Sequence, residues 1–166
     1  ANSIIQKNTI VGNNTLIGAS STIYPDCQIG AKCFFEAGVV IGAAGFGYVQ
    51  DENKAWMYIE QISHVIIEDD VYLGANTTID RGAVSPTRIH KGVKIDNQSQ
   101  IGHGVNIGEH TIISGCVGIG GSTAIGAFCM IGGAVNIRDN IEITDHVMIA
   151  GASTVGKSVK KPGFYC

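Results

Sequence analysis

The chain has 166 residues, 45% of them hydrophobic and 15% charged, with a formal net charge of −3. That balance argues against disorder and against a nucleic-acid grip, which needs basic runs to neutralise phosphates. No stretch of 18 apolar residues is present and the first residues do not form a secretory leader, so no transmembrane segment and no export are expected.

The predicted elements follow one rule along the chain. An aliphatic position recurs every six residues, first as Ile5, Val11, Ile17, Ile23, Ile29, Phe35 and Ile41. Two residues before it stands a small or β-branched side chain, as at Thr9, Thr15, Cys27 and Val39, and Gly often follows it directly, as at Gly12, Gly18 and Gly30. A helix at 3.6 residues per turn would carry a six-residue period around its surface instead of stacking it. Short strands joined by tight turns do stack it: the aliphatic residue points inward, Gly relieves the turn, and β-branched residues fill the strand. Three hexads then close a triangular coil of eighteen residues that pairs with the next coil along the axis.

The series breaks after Ile41. Ile67 follows 26 residues later, eight more than one coil, and the segment 42–66 holds Phe46, Tyr48, Trp56 and Tyr58. This segment is expected to protrude. Phe46, Tyr48 and Trp56 are expected to border an acceptor pocket, since aromatic faces suit sugars and nucleobases. A short series, Ile67, Leu73 and Ile79, precedes a second excursion at about 80–88. From Ile89 the period runs unbroken through Ile95, Ile101, Ile107, Ile113, Ile119, Ile125, Ile131, Ile137, Ile143 and Ile149 to Val155. The pattern predicts an all-β chain: one parallel β-helix domain over 1–166 with about seven coils, roughly 34 Å tall at about 4.8 Å per strand.

Five cysteines, Cys27, Cys33, Cys116, Cys129 and Cys166, form no CxxC pair and fit free thiols in a reducing cytoplasm. Among the five histidines, His110 and His146 share a stripe two coils apart with Phe128 between them. That separation, about 9–10 Å, is too long for one ion to bridge, so no metal site is expected. His103 differs, because Gly121 lies eighteen residues on, one coil away. A base near its working pKa beside an unhindered backbone N–H is the minimal apparatus for acyl transfer.

Four segments in order, GAAGFGY (42–48), TTIDRGA (77–83), IDNQSQIGH (95–103) and CMIGGA (129–134), resemble the UDP-3-O-(3-hydroxyacyl)glucosamine N-acyltransferases of lipid A biosynthesis. The resemblance implies a left-handed β-helix, against the general preference for right-handed crossovers. It implies His103 as catalytic base, Gly121 as backbone donor to the oxyanion, and Asp96 and Asn97 as a polar pair holding the base. It also implies a homotrimer with cleft sites, a 3-hydroxyacyl chain delivered by acyl carrier protein on its phosphopantetheine arm, and a UDP-amino sugar as acceptor. No bound cofactor is implied. The family's second active-site histidine corresponds to Asn140 here, and its N-terminal uridine-binding domain has no counterpart in these residues. A trimer is expected to bury outward apolar residues such as Val105, Val117 and Met130. The alternatives are a short acyl- or acetyltransferase for another nucleotide-linked amino sugar, and a non-catalytic solenoid scaffold.

Overall fold

The computed structural model describes all 166 residues and contains no helix. Three parallel sheets of eight, seven and eight strands form the three faces of a left-handed β-helix. Every inward aliphatic position of the sequence series lies in a strand of its own, and all but Ile41 and Ile79 end it. The first face begins with Ile4–Ile5, the second with Ile10–Val11 and the third with Leu16–Ile17. Nearly eight coils result, slightly more than seven, because Gly163–Tyr165 adds a strand to the third face that no hexad announces.

Registers repeat at eighteen residues, as in Ile101 beside Ile119 and Ile119 beside Ile137. Ile95, Ile101 and Ile107 are fully buried, and so are the small residues two places earlier, Val93 and Val105, with Ser99 nearly so. Where that small residue is Thr it also ties coils together: Thr123 Oγ1 donates to Arg138 O at 2.9 Å and Thr111 Oγ1 to Gly126 O at 2.8 Å. The residue before it takes a left-handed conformation in coil after coil, even as His110, Phe128 and His146. These three rings stack at 5.4 and 5.3 Å along one corner.

Two expectations need correction. Val105 and Val117 face inward and are buried, since the position two before the aliphatic residue lines the corner interior; of the three named, only Met130 points outward. The break after Ile41 is not a coil plus eight residues. Val40–Ala43 on the first face and Val65–Ile67 on the second are consecutive sides of one coil, so all of 44–64 leaves the solenoid. That excursion carries an antiparallel hairpin, Tyr48–Gln50 against Trp56–Tyr58. The second excursion leaves between Thr78–Asp80 and Thr87–Ile89, at the same corner one coil later. The two are bonded through Ile62 N to Ala83 O at 3.0 Å and Ser63 N to Gly82 O at 3.1 Å.

Candidate active site

His103 occupies that same corner in the next coil, between Gln100–Ile101 on the first face and Asn106–Ile107 on the second. Three consecutive turns of one edge thus present the hairpin, the short loop and the imidazole. The ring is packed between two glycines. A Cβ on Gly121 would lie 2.5 Å from His103 Nε2, and a Cβ on Gly45 would lie 2.7 Å from His103 Cβ. No side chain fits at either place, so the ring meets bare backbone on both sides.

The Gly121 N–H makes no backbone hydrogen bond, whereas the Gly121 carbonyl accepts from Asn140 N at 3.0 Å. An unengaged donor therefore lies beside the imidazole. Neither ring nitrogen of His103 is hydrogen-bonded or ion-paired within the chain.

Asp96 and Asn97 are not beside His103. They follow Ile95 on the third face and so turn the preceding corner, one full face away. There Asn97 Oδ1 accepts from Ala75 N at 2.7 Å and Asp96 O accepts from Thr77 Oγ1 at 2.9 Å. Asp80 is the carboxylate near this imidazole, and the sequence reading missed it. Its strand pairs Ile79 with Ile101, which sets Asp80 just before His103 along the edge. Gln100 Nε2 donates to Asp80 Oδ2 at 2.8 Å, and Thr78 Oγ1 donates to Gln100 Oε1. Burial pushes the Asp80 carboxyl up, opposed by the Gln100 bond and by His103.

Gln61, also missed, is 5% exposed at the foot of the hairpin loop. Its Nε2 donates to Ile59 O at 2.9 Å, while its Oε1 is buried without a partner and packs against Gly45 beside the imidazole. Phe46, Tyr48 and Trp56 line an open hollow of about 510 Å³, with the Phe46 and Tyr48 rings 4.9 Å apart. Asn140 is on the His103 edge two coils on, where its Nδ2 donates to Asp139 Oδ2 at 2.8 Å. A shallow groove of about 370 Å³ runs along the first face beside the edge, over Gln100, Gly118, Asn136 and Thr154.

Residues 1–43 and 86–121 match the bacterial transferase hexapeptide (six repeats) family. Over 144 residues, 87% of this chain, the sequence is 52% identical to a UDP-3-O-acylglucosamine N-acyltransferase of Coxiella burnetii and 53% identical to one of Pseudomonas paraeruginosa. The chain belongs to the hexapeptide-repeat acyltransferases. It spans about two fifths of the length of these relatives, 42% and 40%. Among solved structures, a UDP-N-acetylglucosamine acyltransferase from Campylobacter jejuni superposes with a TM-score of 0.84 at 25% identity, covering 96% of this chain and 60% of that one. The Francisella novicida UDP-N-acetylglucosamine acyltransferase shares the fold with a TM-score of 0.86 at 24% identity, covering 95% of this chain and 55% of that one.

Proposed function

We propose that this hexapeptide-repeat acyltransferase moves a 3-hydroxyacyl chain from acyl carrier protein to the 2-amino group of a UDP-3-O-acyl-glucosamine in lipid A biosynthesis. The observation that carries the reading is the His103 imidazole lying against Gly121, whose N–H is free. In this mechanism the amine nitrogen attacks the thioester carbonyl and His103 Nε2 takes its proton. The oxygen gains negative charge and receives the Gly121 N–H. The intermediate collapses to the amide, and the departing thiolate takes the proton back from the imidazolium. Donor and base together act on charge that develops on the way to the tetrahedral intermediate and is absent from the bound substrates, which is what accelerates the step.

The groove along the first face offers the phosphopantetheine arm a path ending at the corner, and the Phe46–Tyr48–Trp56 hollow offers the sugar nucleotide apolar faces. The donor brings the only cofactor chemistry, so the chain needs no resident group. The reading includes a homotrimer with clefts between solenoids, and the outward apolar residues of the third face, Leu16, Phe34, Ile112, Met130, Met148 and Phe164, are 41–66% exposed and open to a neighbouring copy. A cytoplasmic setting, where carrier-protein thioesters and free cysteines persist, fits the five unpaired thiols. No helix is long and apolar enough to cross a membrane.

His103→Ala is expected to lower turnover by about 10²–10⁴-fold, the usual contribution of a positioned base, while leaving the fold intact. Steady-state assays with carrier-protein and coenzyme A thioesters in parallel test this. A folded His103→Ala variant with near-normal turnover removes the assigned mechanism, and preference for acetyl-coenzyme A removes the assigned donor. Sedimentation is expected to give a trimer, and a stable monomer at micromolar concentration contradicts the cleft site.

A further inference from the structure

The second residue after each inward aliphatic side chain turns a corner, and its counterpart one coil on stacks over it. Beyond the first coil this residue is Asp or Asn at four corners: Asp69, Asn97, Asp139 and Asp145. Three of them use the side chain in one way. Asp69 Oδ1 accepts from Ala31 N at 2.7 Å, Asn97 Oδ1 from Ala75 N at 2.7 Å, and Asp145 Oδ1 from Ala127 N at 2.8 Å. In each case the N–H one coil back is closed by a side-chain oxygen.

Asp139 stands over Gly121 in the same register, yet Gly121 N is open. The backbone approach does not differ. Asp139 N lies 2.4 Å from where a Cβ on Gly120 would be, as Asn97 N lies 2.4 Å from that point on Gly74. What differs is the side chain. At Gly30, Gly74 and Gly126 the capping oxygen also comes within 2.5, 2.8 and 2.3 Å of the Cβ point, and at Gly120 no Asp139 oxygen does. The Asp139 carboxylate is instead occupied by its neighbours: Asn140 Nδ2 donates to Oδ2 at 2.8 Å and Arg138 Nε lies 3.4 Å from Oδ1.

We propose that Asn140 is a positioning residue which, by holding Asp139, keeps the Gly121 N–H open to the reacting oxygen; this rests on the acyl-transfer reading above. A carboxylate on that N–H would form a charge-assisted bond, stronger than a neutral one, and would occupy the donor. It would also set a negative charge beside the oxyanion, where the two repel most strongly in a water-poor cleft. Both contacts are exposed, but the Asn140 bond at 2.8 Å is a full hydrogen bond, whereas Arg138 stands 3.4 Å away and is the looser restraint.

The variant to make is Asn140→Gly. Asn140 has φ +55°, and Gly104 holds the corresponding place two coils earlier at φ +67°, so glycine removes the amide without backbone strain. Turnover in Asn140→Gly is expected to fall by up to about 10²–10³-fold, the cost of one lost oxyanion donor, with KM little changed. Asp139→Ala sets the reference rate, and the double variant Asp139→Ala/Asn140→Gly is expected to return to it. A readout independent of activity is the Gly121 amide proton resonance in the full chain. It is expected to move downfield in Asn140→Gly and back in the double variant. The proposal is overturned if the double variant stays as slow as Asn140→Gly, if Asn140→Gly turns over normally, or if the Gly121 resonance does not move. A wild-type chain inactive with the stated donor and acceptor would sink the functional reading, while the resonance still decides the role of Asn140. Asn140→Ser, with a shorter side chain, serves the same test should the glycine variant not fold.

Discussion

At the scale of single residues, Asp80 is where folding and chemistry pull apart. Burial raises its carboxyl above the ordinary value of 3.8. As pH climbs past that value the unfolded chain releases the proton first, so the folded state loses stability until the higher native value is passed. At neutral pH the whole cost of holding the buried charge is present. Asp80→Asn, which keeps an acceptor for Gln100, is expected to melt a few degrees higher than wild type at pH 7 and at the same temperature below about pH 3.5. Melting curves by circular dichroism at the two pH values check this, and a variant less stable at pH 7 would contradict it. Turnover should fall in the same variant if the charge supports the imidazolium. The thiols give a second residue-level test. Burial pushes Cys27, Cys33 and Cys129 up, whereas Cys116 and Cys166 are exposed. A thiol-specific chromogenic disulfide is expected to titrate two groups in the native chain and all five only after unfolding.

Between single residues and the whole solenoid stand the two excursions, and the effect of the hairpin loop on the site runs through Gly45. A methyl there would lie 2.7 Å from His103 Cβ, too close for backbone-anchored atoms to yield cheaply. Gly45→Ala is therefore expected to displace the imidazole and lower turnover at least tenfold, on the scale by which small misplacements act. Its melting temperature should change little, because the loop lies outside the Ile stack. An active Gly45→Ala enzyme would mean that the loop and the base are not in contact. The hexads made each solenoid strand but the last legible, since a fixed period of inward side chains leaves no second register. They also made the approach of His103 to Gly121 legible, because eighteen residues is one coil. Asp80 and Gln61 were not legible. Gln61 lies inside one insertion and a second insertion separates Asp80 from His103, and either break defeats the arithmetic that places residues on a common stripe. The family resemblance put Asp96 and Asn97 beside His103, but one full face of the solenoid lies between the corner they turn and the corner that carries the imidazole. The last strand, Gly163–Tyr165, follows Pro162 and has no inward aliphatic residue in period, so its pairing with Val147–Ile149 rests on the contact itself.

For the molecule as a whole, nearly every contact joins residues one coil apart. Such a chain behaves as a line of units, each stabilised by its two neighbours, and not as one globule with a single centre. Coils at the ends are expected to exchange amide protons sooner than those from Ile89 to Ile119, which hydrogen-exchange mass spectrometry resolves. The reverse order, with the central coils opening first, would mean that the excursions weaken the stack more than the ends do.

His103 and Gly121 belong to different coils, and the backbone bonds Gly102 N to Ile119 O at 2.9 Å and Ser122 N to His103 O at 2.8 Å are what hold those coils together there. The gap between base and donor is therefore the rise of the solenoid itself, and the scaffold serves as the gauge for the chemistry. An eighteen-residue coil spliced in after Val155 would lengthen the rod and leave that gauge untouched. The same coil spliced in between Ile107 and Ile113 would preserve every inward residue and every strand, yet would part the two groups by a second rise and leave a well-folded rod without a reaction centre.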